Sequence, residues 1–335
     1  MQIGSLYVST QGARLTRVGE RLVVRSITGA VLEDVPFFRL RQIVCFGSVE
    51  ISAAAIFQLM QRGIDVVYLT LRGRFKCRLS NMNEKSVNTR LMQYRRSFED
   101  SFRLAQAGAV VRGKLMNYRG WMQSRQRRAV VECSRELASL VDAMSLIEGA
   151  QNSDELMGLE GIGTKAYFEA FRQNLRQDLG FKERNRRPPR DPVNAMLGFG
   201  YTVLLHRVLA AIEQAGLDPF MSNLHATQNG RPSLALDLME EFRLYCVDCV
   251  VARLANLAQV RPADFIVTAD AGVKMQPATI ALLVRELQAR FSSHLPYARD
   301  GRKLQVQDQI VRQAYHYRDV VNGEAAIYQP VLFSW

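Results

Sequence analysis

The chain has 335 residues, 48% of them hydrophobic and 23% charged, with 44 Lys+Arg against 32 Asp+Glu, a net charge of +12 and a pI near 9.8. That composition excludes a disordered basic tail and leaves room for about two domains with real cores. The surplus of positive charge points to a polyanionic partner, nucleic acid being the simplest. The first residues, MQIGSLYVSTQGARLTRVGERLVV, lack the apolar stretch of a secretion signal. The apolar run Val193–Leu205 stops at His206 and Arg207, too soon to cross a bilayer. A cytoplasmic protein with no membrane role is expected. Five scattered cysteines suit a reducing compartment, and Cys246-Val-Asp-Cys249 reads as buried small side chains within a helix, with no second pair at zinc spacing.

The first 80 residues read as short strands punctuated by glycine. Ser5–Thr10, Ala13–Arg17, Arg21–Arg25, Ala30–Val35, Gln42–Phe46 and Val49–Ile51 are rich in β-branched residues. Ser52 is a good N-cap for an apolar helix over Ala53–Arg62, which Gly63 closes. Asp65–Thr70 and Phe75–Leu79 add two strands.

From about Asn88 the period becomes helical. Helices are predicted within Leu91–Gln123, Arg127–Ile147, Pro192–Ala215 (opened by Asp191-Pro192), Pro232–Leu257, Pro277–Phe291 and Lys303–Val321. The fold expected is α+β: a small β-rich domain over residues 1–82, a linker over 83–89, and a larger all-α domain over 90–335.

The charge is uneven. Lys85, Arg90, Arg95, Arg96, Arg103, Arg112, Lys114, Arg119, Arg125, Arg127 and Arg128 are opposed only by Glu99 and Asp100. A second basic run holds Arg172, Arg176, Lys182, Arg184, Arg186, Arg187 and Arg190. Tyr94, Tyr118 and Trp121 interleave with the first. Basic residues with aromatics suit phosphate contacts plus base stacking; a solvated helix face with aromatics in the core is the alternative. Candidate DNA contacts are Arg95, Arg96, Arg112, Lys114, Arg119, Lys165, Arg184, Arg186, Arg187 and Arg190.

Among four histidines, His206 reads as a core or helix-packing residue, and His294 and His316 have no carboxylate at a telling spacing. His225 differs. It sits in a Gly/Asn/Pro-rich loop leading into a helix with Asp237, Glu240 and Glu241, of which Asp237 and Glu240 share one side. One imidazole with carboxylates favours Mg²⁺ or Mn²⁺ over structural Zn²⁺; an ordinary acidic patch is the other reading. Gly158-Leu-Glu-Gly-Ile-Gly-Thr-Lys165 is no P-loop, because Lys does not follow the second motif glycine and Glu160 would repel phosphate. Two readings of it stand: a helix-hairpin-helix whose Gly161–Gly163 amides bind DNA phosphate, or Glu160 as a metal ligand just before a helix over Thr164–Phe171.

The order of motifs, VPFFRLRQIVCFGSVEISAAAIFQLMQRGIDVVYL, LMGLEG…AYFEAF, RRPPRDPVNAMLGFGYTVL, GLDPF…LH…GRPSLALDLMEEFR and AIYQP, resembles the CRISPR-associated endonuclease/integrase family of spacer acquisition over nearly the whole chain. The resemblance implies a divalent metal, Mg²⁺ or Mn²⁺, on Glu160, His225 and Glu240, with Asp237 a further acidic member of the site and Asn194 and Tyr167 in supporting places. It implies attack by the 3′-OH of a captured DNA fragment on a repeat phosphodiester, a double-stranded DNA substrate, a homodimer, and a small dimeric ferredoxin-like partner. A non-catalytic DNA-binding protein using the Gly161–Gly163 loop is the competing function.

Overall fold

The computed structural model describes residues 4–335 except 72, 80–85, 187, 270–271 and 298. Arg187, Lys85 and positions 83–85 of the expected linker therefore lie outside the described residues. The N-terminal region carries eight strands: β1 (Gly4–Val8), β2 (Ala13–Val18), β3 (Arg21–Arg25), β4 (Val31–Pro36), β5 (Leu40–Phe46), β6 (Val49–Ile51), β7 (Asp65–Leu69) and β8 (Phe75–Leu79). They form two sheets, β4-β3-β2-β6 and β1-β5-β7-β8. Between β6 and β7 lies α1 (Ala53–Gln61), capped by Ser52 Oγ accepting from Ala55 N at 3.3 Å. It ends ahead of Gly63, whose φ of +64° is left-handed.

The central strands of the second sheet, β5 and β7, are buried on both faces, and strand periodicity explains how. In β5, Ile43 and Cys45 enter a core shared with the first sheet, while Val44 and Phe46 point the other way into the helical core. β7 splits likewise, Val66 to one side and Val67 and Leu69 to the other.

Ten helices are described in all. Following α1 come α2 (Val87–Ser97), α3 (Asp100–Arg127), α4 (Ser134–Ser145), α5 (Ser153–Asn174), α6 (Pro192–Gln214), α7 (Ser233–Arg243), α8 (Cys249–Asn256), α9 (Pro277–Phe291) and α10 (Val306–Val321). A π-helical turn, Leu244–Asp248, joins α7 to α8. The long segment expected over Leu91–Gln123 breaks in two: Ser97 Oγ donates to the Tyr94 carbonyl at 2.6 Å, and Glu99 turns extended (φ −88°, ψ 104°) to start α3. α2 begins at Val87, inside the stretch read as linker.

The helical region is not all-α. Two antiparallel pairs, β9 (Phe265–Val267) with β10 (Val273–Met275) and β11 (His294–Pro296) with β12 (Lys303–Gln305), sit among the helices, so the helix expected from Lys303 starts at Val306. Three-residue strands are too short for alternation to announce them.

α6 is long and apolar enough to cross a membrane, because the helix continues past His206 and Arg207 to Gln214. Its apolar window is 72% buried inside the protein, as a central core helix is. Asp191 Oδ1 caps it by accepting from Asn194 N at 2.8 Å, with Pro192 in the first turn.

Candidate active site

The Gly158–Gly163 segment lies wholly inside α5. A helix-hairpin-helix loop is therefore absent there, because amides within an α-helix are committed to carbonyls four residues back. Asn152 Oδ1 caps this helix on Glu155 N at 2.9 Å, well upstream of the glycines. Gly163 has a packing role: a Cβ there would stand 2.5 Å from Leu115 Cδ2, so the glycine lets α5 approach α3. That approach brings Glu160 against α3.

Lys114 is where the two helices meet α7. Its ammonium pairs with Glu160 and, at 2.7 Å, with Glu240 Oε2. Lys114 was expected to contact DNA, but its side chain is 3% exposed and sits between two carboxylates. It lies on the apolar stripe of Val110, Val111, Tyr118 and Trp121, which turns it inward. Tyr118 and Trp121 are buried in the same core, so the base-stacking reading of these two rings fails: Tyr118 stacks on Tyr167 with centroids 3.8 Å apart.

Glu240 is 3% exposed and also meets Arg243 at 3.0 Å. Burial pushes its carboxyl up, but Arg243, Lys114 and His225 outweigh burial and hold it at about 2. Its Oε2 makes no hydrogen bond beyond the ion pair with Lys114. Glu160 is more open, with 23% of its side chain exposed, and accepts from Thr164 Oγ1 at 3.0 Å.

Asp237 stands behind His225. Its Oδ2 accepts from the amides of Asn223 (2.9 Å) and Leu224 (3.1 Å), and its Oδ1 from His225 N (3.2 Å). Oδ1 also meets His225 Nδ1 at 2.7 Å. One carboxylate thus shapes the Ser222–His225 loop and fixes the ring, leaving Nε2 as the nitrogen available to a ligand. The carboxylate's own oxygens are taken up by this task.

Among the described residues, no three His, Cys, Asp or Glu side chains close around one point at metal-ligand distance. The Lys114 ammonium completes the Glu160–Glu240 group instead. A cation already held between two carboxylates is a stand-in for a metal ion, and two carboxylates with an imidazole are donors that Mg²⁺ and Mn²⁺ accept.

The π-turn adds a feature the sequence reading missed. It directs buried Asp248 at two tyrosines, Tyr167 (3.0 Å) and Tyr201 (2.6 Å). Burial raises this carboxyl to about 6 against those hydrogen bonds. Arg184 and Arg243 lie over the Tyr201 ring at 5.2 and 4.9 Å, and Arg184 also donates to Asn194 Oδ1 at 2.6 Å. Arg184 is thus half-buried in support of the site, unlike exposed Arg186 and Arg190.

Arg95, Arg119 and Lys165 are exposed. Arg96 pairs with Glu99 at 2.8 Å and Arg112 with Glu148 at 3.1 Å. His206 is buried as expected but unsatisfied: it stacks on Phe75 at 5.0 Å, both ring nitrogens lack a hydrogen-bond partner among the described residues, and burial holds it down at about 4. Cys246 and Cys249 are free thiols within the core.

A β-rich region thus stands against a helical bundle that gathers Glu160 and Glu240 around Lys114. The family model described as CRISPR associated protein Cas1 matches residues 6–289. The CRISPR-associated endonuclease Cas1 1 of Chlorobaculum tepidum is 32% identical over 99% of this chain and 98% of its own length. The chain belongs to the Cas1 family. Two solved structures share the fold: a casposase bound to integration product (TM-score 0.85, 21% identity, 97% of this chain and 92% of that one) and a Cas6-RT-Cas1–Cas2 complex (TM-score 0.81, 21% identity, all of this chain and 36% of that one).

Proposed function

We propose that this protein is a divalent-metal-dependent DNA integrase and endonuclease of CRISPR adaptation. The observation that carries the reading is the Glu160–Glu240 pair gathered around one cation, with His225 anchored to Asp237 of the same helix α7 that carries Glu240. Glu160, Glu240 and His225 Nε2 would hold Mg²⁺ or Mn²⁺. Bound there, the metal would lower the pKa of an attacking hydroxyl and neutralise charge on the scissile phosphate. Asp237 keeps the His225 ring in place, and Arg243 and Lys114 keep Glu240 ionised. The 3′-OH of a captured DNA fragment would form the new P–O bond as the repeat strand's own P–O3′ bond breaks, so strands are exchanged with no net loss of phosphodiesters.

Exposed Arg95, Arg119, Lys165, Arg186 and Arg190 would carry double-stranded DNA through phosphate contacts. The described names of the relatives, an endonuclease, a casposase on its integration product and an assembly with Cas2, support DNA chemistry and a Cas partner. A small ferredoxin-like dimer is the partner proposed. Residues 1–82 are proposed as the dimerisation and partner-contact domain of a cytoplasmic homodimer; exposed Phe38 and Phe57 there support self-association.

The test is joining of a short 3′-OH duplex to supercoiled plasmid with Mg²⁺ or Mn²⁺, partner present. Wild type should join; Glu160→Ala, His225→Ala and Glu240→Gln should fall to background while binding DNA nearly as well. Wild type inert with both metals would sink the enzyme reading. Full activity in Glu160→Ala would remove that ligand alone.

A further inference from the structure

α3, α5 and the α7–α8 helix all run the same way from the Glu160–Glu240 pair. One level on, Trp121 meets Tyr167 at 5.4 Å and Phe171 at 6.3 Å. Beyond that level, Arg125, Asn174 and Asn256 line one cavity of about 450 Å³. At about 1.5 Å per residue, the helical path from Lys114 to Arg125 sets it roughly 16 Å from the acidic pair. It is a separate place from the candidate active site.

Its lining holds four arginines, Arg125, Arg176, Arg253 and Arg290, and no aspartate or glutamate. Among the described residues, only Arg253 of these four has an acidic partner, Glu286 at 3.5 Å, and its side chain is 58% exposed. Tyr245 and Trp335 supply aromatic walls, with buried Trp121 behind them. Arg125 lies over Trp121 at 5.5 Å and Arg290 over Tyr245 at 4.5 Å. Arg125 Nε and Trp335 Nε1 are buried donors without a hydrogen-bond partner among the described residues.

Arginines near helix C-termini are expected for a plainer reason, because each such end carries about half a negative charge. Four ends, those of α3, α5, α8 and α9, offset at most about 2 of the four positive charges, and Glu286 offsets one more, so a net positive cavity with unsatisfied donors remains. Guanidinium forks match phosphate oxygens, and aromatic faces match a base. The volume falls within the range of about 300–1,000 Å³ common for small-ligand sites.

We propose that this cavity binds one phosphorylated nucleoside, its phosphate on the arginines and its base against the Trp335 indole. The same chemistry is offered by a free nucleotide and by an unpaired nucleotide of a DNA strand. Trp121 and Trp335 are the only tryptophans in the chain, so indole emission reports on this cavity directly. Full-length protein would be titrated with a deoxynucleoside monophosphate, a short oligothymidylate and inorganic phosphate, with excitation at the red edge to leave out tyrosine.

Saturable quenching by the mononucleotide and the oligonucleotide supports the site with either source; quenching by the oligonucleotide alone supports it with the strand as source. Arg290→Ala should weaken binding about tenfold, and the more exposed Arg253→Ala, which leaves the core intact, should weaken it by a smaller factor. Glu240→Gln should bind as wild type does, which separates this site from the catalytic reading. The proposal is overturned by no saturable quench with any probe, by inorganic phosphate alone matching the nucleotide, or by wild-type affinity in both arginine variants.

Discussion

Glu240 and Glu241 are neighbours on α7, both buried, with carboxyls held at about 2 and about 8. Burial pushes both up, so burial does not separate them. On the Glu240 side stand Arg243 and Lys114. On the Glu241 side stand neutral donors: Tyr328 Oη (2.5 Å), Gln313 Nε2 (3.3 Å) and the Val331 amide. These belong to α10 and the C-terminal tail, so Glu241 is a clasp that ties the tail down, while Glu240 keeps a charge ready beside His225. One helix thus carries a structural carboxyl that favours its proton and a second that favours its charge, sorted by which neighbours are cations.

The largest way to break that contrast is to remove the cation. Lys114→Met leaves two carboxylates facing each other, one of them deeply buried, and should cost about 3–5 kcal/mol in urea unfolding. Mn²⁺ or Mg²⁺ should raise the melting temperature of this variant more than that of wild type, because a divalent ion takes over the missing charge. A variant as stable as wild type would mean that Lys114 does not hold the pair.

Lys114 also marks where the sequence was readable and where it misled. Turn glycines, Ser52 and Asp191-Pro192 announced the N-terminal strands, α1 and α6, because caps and turns are local chemistry. The basic run was read by composition, and composition does not say which side of a helix a residue occupies. The signal was present: Lys114 falls in step with Val110, Val111, Tyr118 and Trp121. Glu160, His225, Glu240 and Asp237 were picked out by motif. Asp237's hold on three loop amides depends on a loop conformation that no spacing encodes. Glu241 went unassigned because its partners lie far along the chain, at Gln313, Tyr328 and Val331. The Gly161–Gly163 loop failed for the opposite reason: glycines that suggest a turn serve in α5 as a place of close packing.

The second test removes the clasp's titration. Between the ordinary carboxyl value of 4.5 and about 8 the folded chain keeps a proton on Glu241 that the unfolded chain has lost. The contribution is therefore complete below pH 4.5 and lost as pH rises to about 8, a change of the order of a few kcal/mol. In Glu241→Gln it is absent, so the stability of wild type relative to the variant should fall across that window. Parallel stability-versus-pH curves would show that Glu241 ionises normally.

A smaller effect is expected at the carboxylate behind His225. Asp237→Asn keeps the size of the side chain but weakens its hold on the His225 ring and loop amides. Strand transfer should slow by roughly 10–100-fold with DNA affinity unchanged; an unchanged rate would mean that the His225–Asp237 contact is not needed to place the ring.

The smallest effect belongs to the surface charges, and it separates them from Lys114. Arg119 is exposed on the same helix. If it meets a phosphate, Arg119→Ala should lower the slope of log affinity against log salt by about 0.9, weaken binding to all sequences alike, and leave stability untouched. Lys114→Met should do the reverse, losing stability with little change in slope. Equal slopes for wild type and Arg119→Ala would take Arg119 off the DNA track, whereas a reduced slope in Lys114→Met would show that the buried ammonium reaches DNA after all. Two basic residues five positions apart on one helix would then be distinguished by what faces them, as Glu240 and Glu241 are.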